Sequence, residues 1–232
     1  MSIADNLTHI RARIAAAARR AGREPADVRL VAVSKTKPAE AVDEAARAGQ
    51  LIFGENYVQE FTAKAGAVSE PVEWHFIGGL QSNKVKYLAG LVAMIHSVDR
   101  LSLAEEIDRQ WGRVGAVCDV LVQVNIAGEE TKSGTSSSAL VELVRRVAAL
   151  PNLRVKGLMT MPPFFDDPEG ARPYFRELKR LAGIVAAEVI PNVAMDELSM
   201  GMSGDFEAAV EEGATLVRVG TAVFGEREYR RQ

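Results

Sequence analysis

Cysteine, histidine and long apolar runs are all scarce in this chain, and each scarcity closes off a class of function. A single cysteine, Cys118, stands among 232 residues, so no internal disulfide can form and no thiolate cluster can hold a metal. It sits in the apolar stretch VCDVLVQV, and a reducing cytoplasm is the expected compartment. The three histidines, His9, His75 and His96, lie in separate segments without the helical spacing of a metal pair. They read as buried or surface imidazoles, and no structural metal is expected. No stretch approaches the roughly 18 apolar residues of a spanning helix, and the N-terminus lacks the charged start and apolar core of a secretory signal. A net charge of −3, from 28 basic and 31 acidic residues, offers no global attraction for nucleic acid or an anionic membrane. Any anionic ligand has to be caught locally. Residues 1–23 carry Arg11, Arg13, Arg19, Arg20 and Arg23, but Asp5, Glu24 and the paucity of serine argue for a solvated helix face over a transit peptide.

What is present is rhythm. With 47% hydrophobic and 25% charged residues, the chain can bury a sizeable core. Ile3, Leu7, Ile10, Ile14, Ala17 and Ala21 follow three-and-four spacing, which predicts an amphipathic opening helix ended by Gly22. Eight short apolar runs follow, at Leu30–Ser34, Leu51–Phe53, Trp74–Ile77, Met94–Val98, Asp119–Val124, Val155–Met159, Glu197–Met200 and Leu216–Val219. Between them lie helical patterns at Ala39–Ala48, Val58–Val68, Gln81–Ala89, Leu101–Trp111, Ser138–Leu150, Pro173–Val189 and Phe206–Glu212. Alternation of this kind predicts an α/β fold, a single (β/α)8 TIM barrel with an additional N-terminal helix. An open doubly wound sheet is disfavoured, because SKTKP follows Val33 where a dinucleotide fold would place GxGxxG. The segment MPPFFDDPEG, residues 161–170, reads as a rim loop after the sixth strand, its phenylalanines expected to pack on the barrel wall.

In a barrel, chemistry collects at the carboxyl ends of the strands. Side chains alternate along a strand, so Val31, Val33 and Lys35 share a face and Lys35 projects into the mouth, whereas Lys37, beside Pro38, is expected to point to solvent. Desolvation there favours a neutral, nucleophilic amine suited to Schiff-base formation. The structural alternative is a Lys35 ion-paired with Glu55 or Asp99. The loops after strands seven and eight form the recurrent phosphate site of such barrels. Here they read Ser199, Met200, Gly201, Met202, Ser203, Gly204 and Arg218, Val219, Gly220, Thr221, small and hydroxylated residues whose amides can approach an anion. A reactive amine and a phosphate cradle together fit a phosphorylated carbonyl compound. Two candidates follow: a lysine-dependent aldolase acting on a sugar phosphate, or a protein that holds pyridoxal 5′-phosphate (PLP).

The blocks AVSKTKP, FGENYVQE, HFIG followed by LQSNK, SVDR, VNIAGEETKSG and LSMGMSGDFEAAVEEGATLVRVGTAVFGER closely resemble the PLP homeostasis protein family, single-domain barrels similar to the N-terminal domain of bacterial alanine racemase. The resemblance runs from about residue 28 to residue 227. It implies one PLP-binding barrel domain over 1–232, with 1–23 as a helix packed on it. It implies that Lys35 forms the internal aldimine and that Ser199, Ser203, Gly220 and Thr221, with Met200 and Gly201 in the same block, surround the phosphate. It places Arg218 near the pyridine ring and Asn56 near the cofactor. A guanidinium beside the ring nitrogen disfavours its protonation and so weakens carbanion chemistry. Gly79 stands where the family has proline, which leaves Gln81, Asn83 and Lys84 to be read as helix capping and solvation, and Lys132 as a solvated lysine.

The implied function is a non-enzymatic carrier that buffers PLP and takes part in vitamin B6 and amino-acid balance, with PLP-dependent apoenzymes as possible acceptors and the chain a cytoplasmic monomer. An amino-acid racemase is the alternative. Two-base racemization needs a proton carrier on each face of the substrate carbon, and alanine racemases draw the second from a further C-terminal domain that the sequence ending at Gln232 does not contain.

Overall fold

The computed structural model describes residues 2–129 and 133–225. Its first helix, α1 (Ile3–Arg20), starts because Ser2 and Asp5 cap each other: the Asp5 amide donates to Ser2 Oγ at 3.1 Å and the Ser2 amide to the Asp5 carboxylate at 3.1 Å. Its buried stripe is Leu7, Ile10, Ile14, Ala17 and Ala18, and each large member contributes about 1.5–3 kcal/mol by leaving water.

The remaining elements are β1 (Arg29–Val33), α2 (Ala39–Arg47), β2 (Ile52–Glu55), α3 (Val58–Ala65), β3 (Glu73–Phe76), β4 (Met94–Val98), α4 (Leu101–Arg113), β5 (Cys118–Gln123), α5 (Leu140–Ala148), β6 (Leu153–Met159), α6 (Arg172–Ala187), β7 (Val193–Ser199), α7 (Phe206–Glu211), β8 (Leu216–Val219) and α8 (Thr221–Phe224). The eight strands pair in parallel, in sequence order, and β1 closes on β8 with Val31 beside Arg218. This is the expected barrel. Two elements differ from the sequence reading. The helix expected at Gln81–Ala89 is a 3-10 helix, Ser82–Tyr87, which rises about 2.0 Å per residue and so spans the short β3–β4 connection with few residues. β7 begins at Val193, four residues before the apolar run, because Val193 pairs with Val155 across a bulge in β6.

The alternation along each strand divides the core. Outward residues join the helices in one large apolar cluster, whereas Val31, Ile52, Met94, Leu121, Met159 and Leu216 form a second cluster inside the barrel. Gly157 is required where β6 meets β7: its φ is +156° and a Cβ there would lie 1.8 Å from the Glu197 carbonyl oxygen. Among the described residues no helix is long and apolar enough to cross a membrane.

Candidate functional site

A cavity of about 490 Å³ opens at the carboxyl ends of the strands. Lys35, Asn56, Ser203, Arg218, Gly220 and Thr221 all line it, together with Lys37 and Asp205. Lys35 arrives there by parity, two residues beyond the inward Val33. Asn56 follows β2 by one residue, and Gly78 packs so closely on it that a Cβ would fall 2.2 Å from the Asn56 carbonyl oxygen. Asn56 Oδ1 is buried with no hydrogen-bond partner, which marks an acceptor held ready for a ligand.

The opposite wall is made by the β7–α7 turn and the start of α8. Asp205 Oδ1 accepts from the Met202 amide at 2.6 Å, and the Asp205 amide donates to the Met202 carbonyl at 3.1 Å. The amides of Ser203 and Gly204 take no part in these bonds. The first amides of α8 likewise lack intrahelical acceptors. Three cations, Lys35, Lys37 and Arg218, face one carboxylate, Asp205, and burial raises the Asp205 pKa. The net charge favours an anionic ligand. Met161, Phe164, Phe165 and Met202 supply an apolar rim.

Arg218 forms part of the cavity floor. Its Nη1 donates to Ser199 Oγ at 2.6 Å and its Nη2 to the Thr160 carbonyl at 3.0 Å. Burial lowers its pKa to about 10, against the opposing pull of Asp205, so it remains a guanidinium at neutral pH. Ser199 Oγ also lies 2.9 Å from His96 Nδ1; His96 Nε2 lies 2.8 Å from His75 Nδ1, and His75 Nε2 lies 2.8 Å from Glu73 Oε1. Burial, reinforced by His75 and Arg218, holds the His96 pKa well below the usual imidazole range.

The expectations for Lys37, Phe164 and Gln81 are corrected by this geometry, and the other residues singled out in the sequence take up the positions that follow. Ser199, Met200 and Gly201 do not line the cavity: Ser199 bonds beneath it to Arg218 and His96, Met200 is buried in the outer core, and Gly201 packs on Phe206 and Ala209. Lys37 does not point to solvent, since its Nζ donates to the Phe224 carbonyl at 2.9 Å and ties the β1 loop to α8. Glu55 faces the helix layer, where Ser34 Oγ donates to it at 2.6 Å and Lys64 Nζ at 2.5 Å. Asp99 pairs with Arg100 at 2.7 Å. Phe165 does pack inward, on Tyr174 at 5.8 Å between ring centroids, but Phe164 is 87% exposed. Gln81 heads the 3-10 helix without a side-chain cap. Gly79 has open space about its Cα and borders a smaller hollow with Gln123, Asn125 and Met161. Lys132 lies outside the described residues. Among the described residues no cluster of His, Cys, Asp or Glu could hold a metal ion. The sequence reading missed Glu73, His75 and His96 as connected groups, although period-two alternation places both histidines on the inward face of their strands.

The chain is similar to known proteins over nearly its whole length. The family described as "Alanine racemase, N-terminal domain" matches residues 6–228. A pyridoxal phosphate homeostasis protein of Aquifex aeolicus is 49% identical over 99% of this chain and 100% of its own length. The structure of PipY from Synechococcus elongatus with PLP bound superposes with a TM-score of 0.85 at 35% identity, over 97% of this chain and 100% of that one. The alanine racemase of Corynebacterium glutamicum shares the fold, with a TM-score of 0.70 at 15% identity, over 99% of this chain and 64% of that one.

Proposed function

We infer, from the premise that the chain belongs to the pyridoxal phosphate homeostasis protein family, that it holds PLP in the cavity at the barrel mouth and takes part in PLP and amino-acid homeostasis. The observation that carries the assignment is the convergence of Lys35, the unpartnered Asn56 Oδ1 and the hydroxyl and amide groups of Ser203, Gly220 and Thr221 on one cationic cavity. These donors fit PLP. Its anionic phosphate needs hydroxyls and amides, its aldehyde an amine, and its ring oxygen and nitrogen polar neighbours. Ser203 and Thr221 make no side-chain hydrogen bond among the described residues, so both hydroxyls remain available to the phosphate. When bound, PLP supplies an electrophilic aldehyde and a conjugated ring that can accept electrons.

In this proposal Lys35 would anchor the aldehyde, Ser203, Gly220 and Thr221 would hold the phosphate, and Asn56 and Arg218 would orient the ring. A guanidinium beside the ring nitrogen would donate and not accept a proton, so Arg218 would disfavour protonation there and weaken the electron-accepting chemistry of the group. The chain therefore works as a non-enzymatic carrier, and the same proposal makes it a cytoplasmic monomer with PLP-dependent apoenzymes as acceptors. Titration of purified protein with PLP should produce a visible band that Lys35→Ala abolishes; an identical band in the variant contradicts the anchor. Incubation of the loaded protein with L-alanine should yield no D-isomer above background, and saturable turnover would favour the racemase alternative.

A further inference from the structure

Four polar side chains cross the barrel interior where apolar branched residues ordinarily pack. They link the cavity floor to the opposite end of the barrel, where Glu73 opens β3 with its side chain 47% exposed. The order of bonds is Arg218 to Ser199, Ser199 to His96, His96 to His75 and His75 to Glu73, at 2.6, 2.9, 2.8 and 2.8 Å.

The protons in this chain can be assigned by donor counting. Glu73, whose pKa is lowered by its bond to His75, is a carboxylate and can only accept, so His75 Nε2 carries a proton. A neutral His75 then offers Nδ1 as an acceptor, and His96 Nε2 must donate to it. His96 Nδ1 is consequently bare and accepts the Ser199 hydroxyl proton. Ser199 Oγ keeps its lone pairs for the N–H of Arg218. Every donor finds an acceptor in this direction. The reverse direction needs protons on both nitrogens of His75, with Nδ1 donating to His96 Nε2, and a proton on His96 Nδ1 aimed at Ser199 Oγ; it leaves the Ser199 hydroxyl proton without an acceptor in the chain and makes His75 a second cation in the barrel interior. The His75 side chain has no exposure to solvent, which opposes a charge there.

We propose that Glu73, His75, His96 and Ser199 are positioning residues for PLP: a one-way hydrogen-bond chain that fixes the plane and donor direction of Arg218 from the far end of the barrel. The proposal rests on the PLP assignment above. Its chemistry is that of a carboxylate–histidine pair at a metal or nucleophile, where an outer anion fixes the tautomer of the ring next to it, here relayed through a second ring to an arginine. Arg218 has two of its five N–H groups committed by Ser199 and Thr160, so its remaining donors are oriented before any ligand enters.

Nitrogen NMR of cofactor-free protein labelled with [15N]histidine tests the direction without PLP. His75 and His96, assigned through His75→Gln and His96→Gln variants, should each show a protonated Nε2 and a bare Nδ1. A protonated Nδ1 on either ring overturns the chain. PLP titration of Glu73→Gln and Ser199→Ala then tests the link to the cofactor. Both variants should bind roughly tenfold more weakly, with a displaced visible band and the borohydride label still on Lys35. Wild-type band and affinity in both variants overturn the positioning role. If the unmodified protein takes no label at all, the PLP assignment fails while the NMR result stands by itself.

Discussion

Asn56 carries a buried amide oxygen with no partner at the cavity wall, a state that costs about 1–3 kcal/mol in the absence of ligand. Such a residue trades stability for binding. Asn56→Ala should leave the melting temperature of the cofactor-free protein unchanged or raised, while PLP binding weakens roughly tenfold. Thermal melts and PLP titration check both halves; a lowered melting temperature with unchanged binding contradicts the assignment. The placement of Lys35 and Arg218 at the barrel mouth was legible in the sequence, because strand parity and the location of the last βα loops are local rules. Ser199 was not, since its contacts with Arg218 and His96 depend on which residues three different strands bring to one level of the barrel. The same reason hides His75 and His96: a histidine between apolar residues reads as core until the registers of β3, β4 and β7 are known.

Among the elements, α1 and α8 tie stability to the site. α8 is only four residues long, Thr221–Phe224, and three outside bonds steady its surroundings. Asn6 Nδ2 donates to the Val223 carbonyl at 2.9 Å, Lys37 Nζ to the Phe224 carbonyl at 2.9 Å, and Arg13 pairs with Glu207 of α7 at 2.9 Å. Leu7 is fully buried beneath them. Leu7→Ala should therefore lower stability by about 2–5 kcal/mol, read by urea unfolding, and weaken PLP binding at temperatures where the protein is still folded. A loss of stability without any loss of binding would mean that α1 supports the barrel but not the α8 corner. The opening helix itself was plain from its apolar spacing, whereas its Ser2–Asp5 cap emerged only in the structure. The 3-10 geometry of Ser82–Tyr87 was not, because its lysines and apolar residues fit helical spacing equally well.

At the scale of the molecule, the closed barrel separates two environments: an apolar interior band and a cationic mouth, joined by the chain from Glu73 to Arg218. Burial keeps His96 neutral in the folded state, with its pKa well below 6.5, whereas the unfolded chain takes up a proton there. The unfolded state then binds more protons, so the stability tied to this ring is complete above pH 6.5 and is lost as pH falls below it, by about 1.4 kcal/mol per pH unit. Urea unfolding at neutral pH and at roughly one unit below the free imidazole pKa should show this loss in the wild type and a smaller one, by about 1 kcal/mol, in His96→Gln. Equal slopes would mean that His96 already carries its proton when folded.

One measurement bears most directly on the assignment of the mouth as a PLP site anchored by a single amine. Purified protein is incubated with PLP, reduced with borohydride, digested and mapped by mass spectrometry. A single modified peptide with the label on Lys35 is the expected result. Label on Lys37 or another lysine, or no stable label, would contradict it.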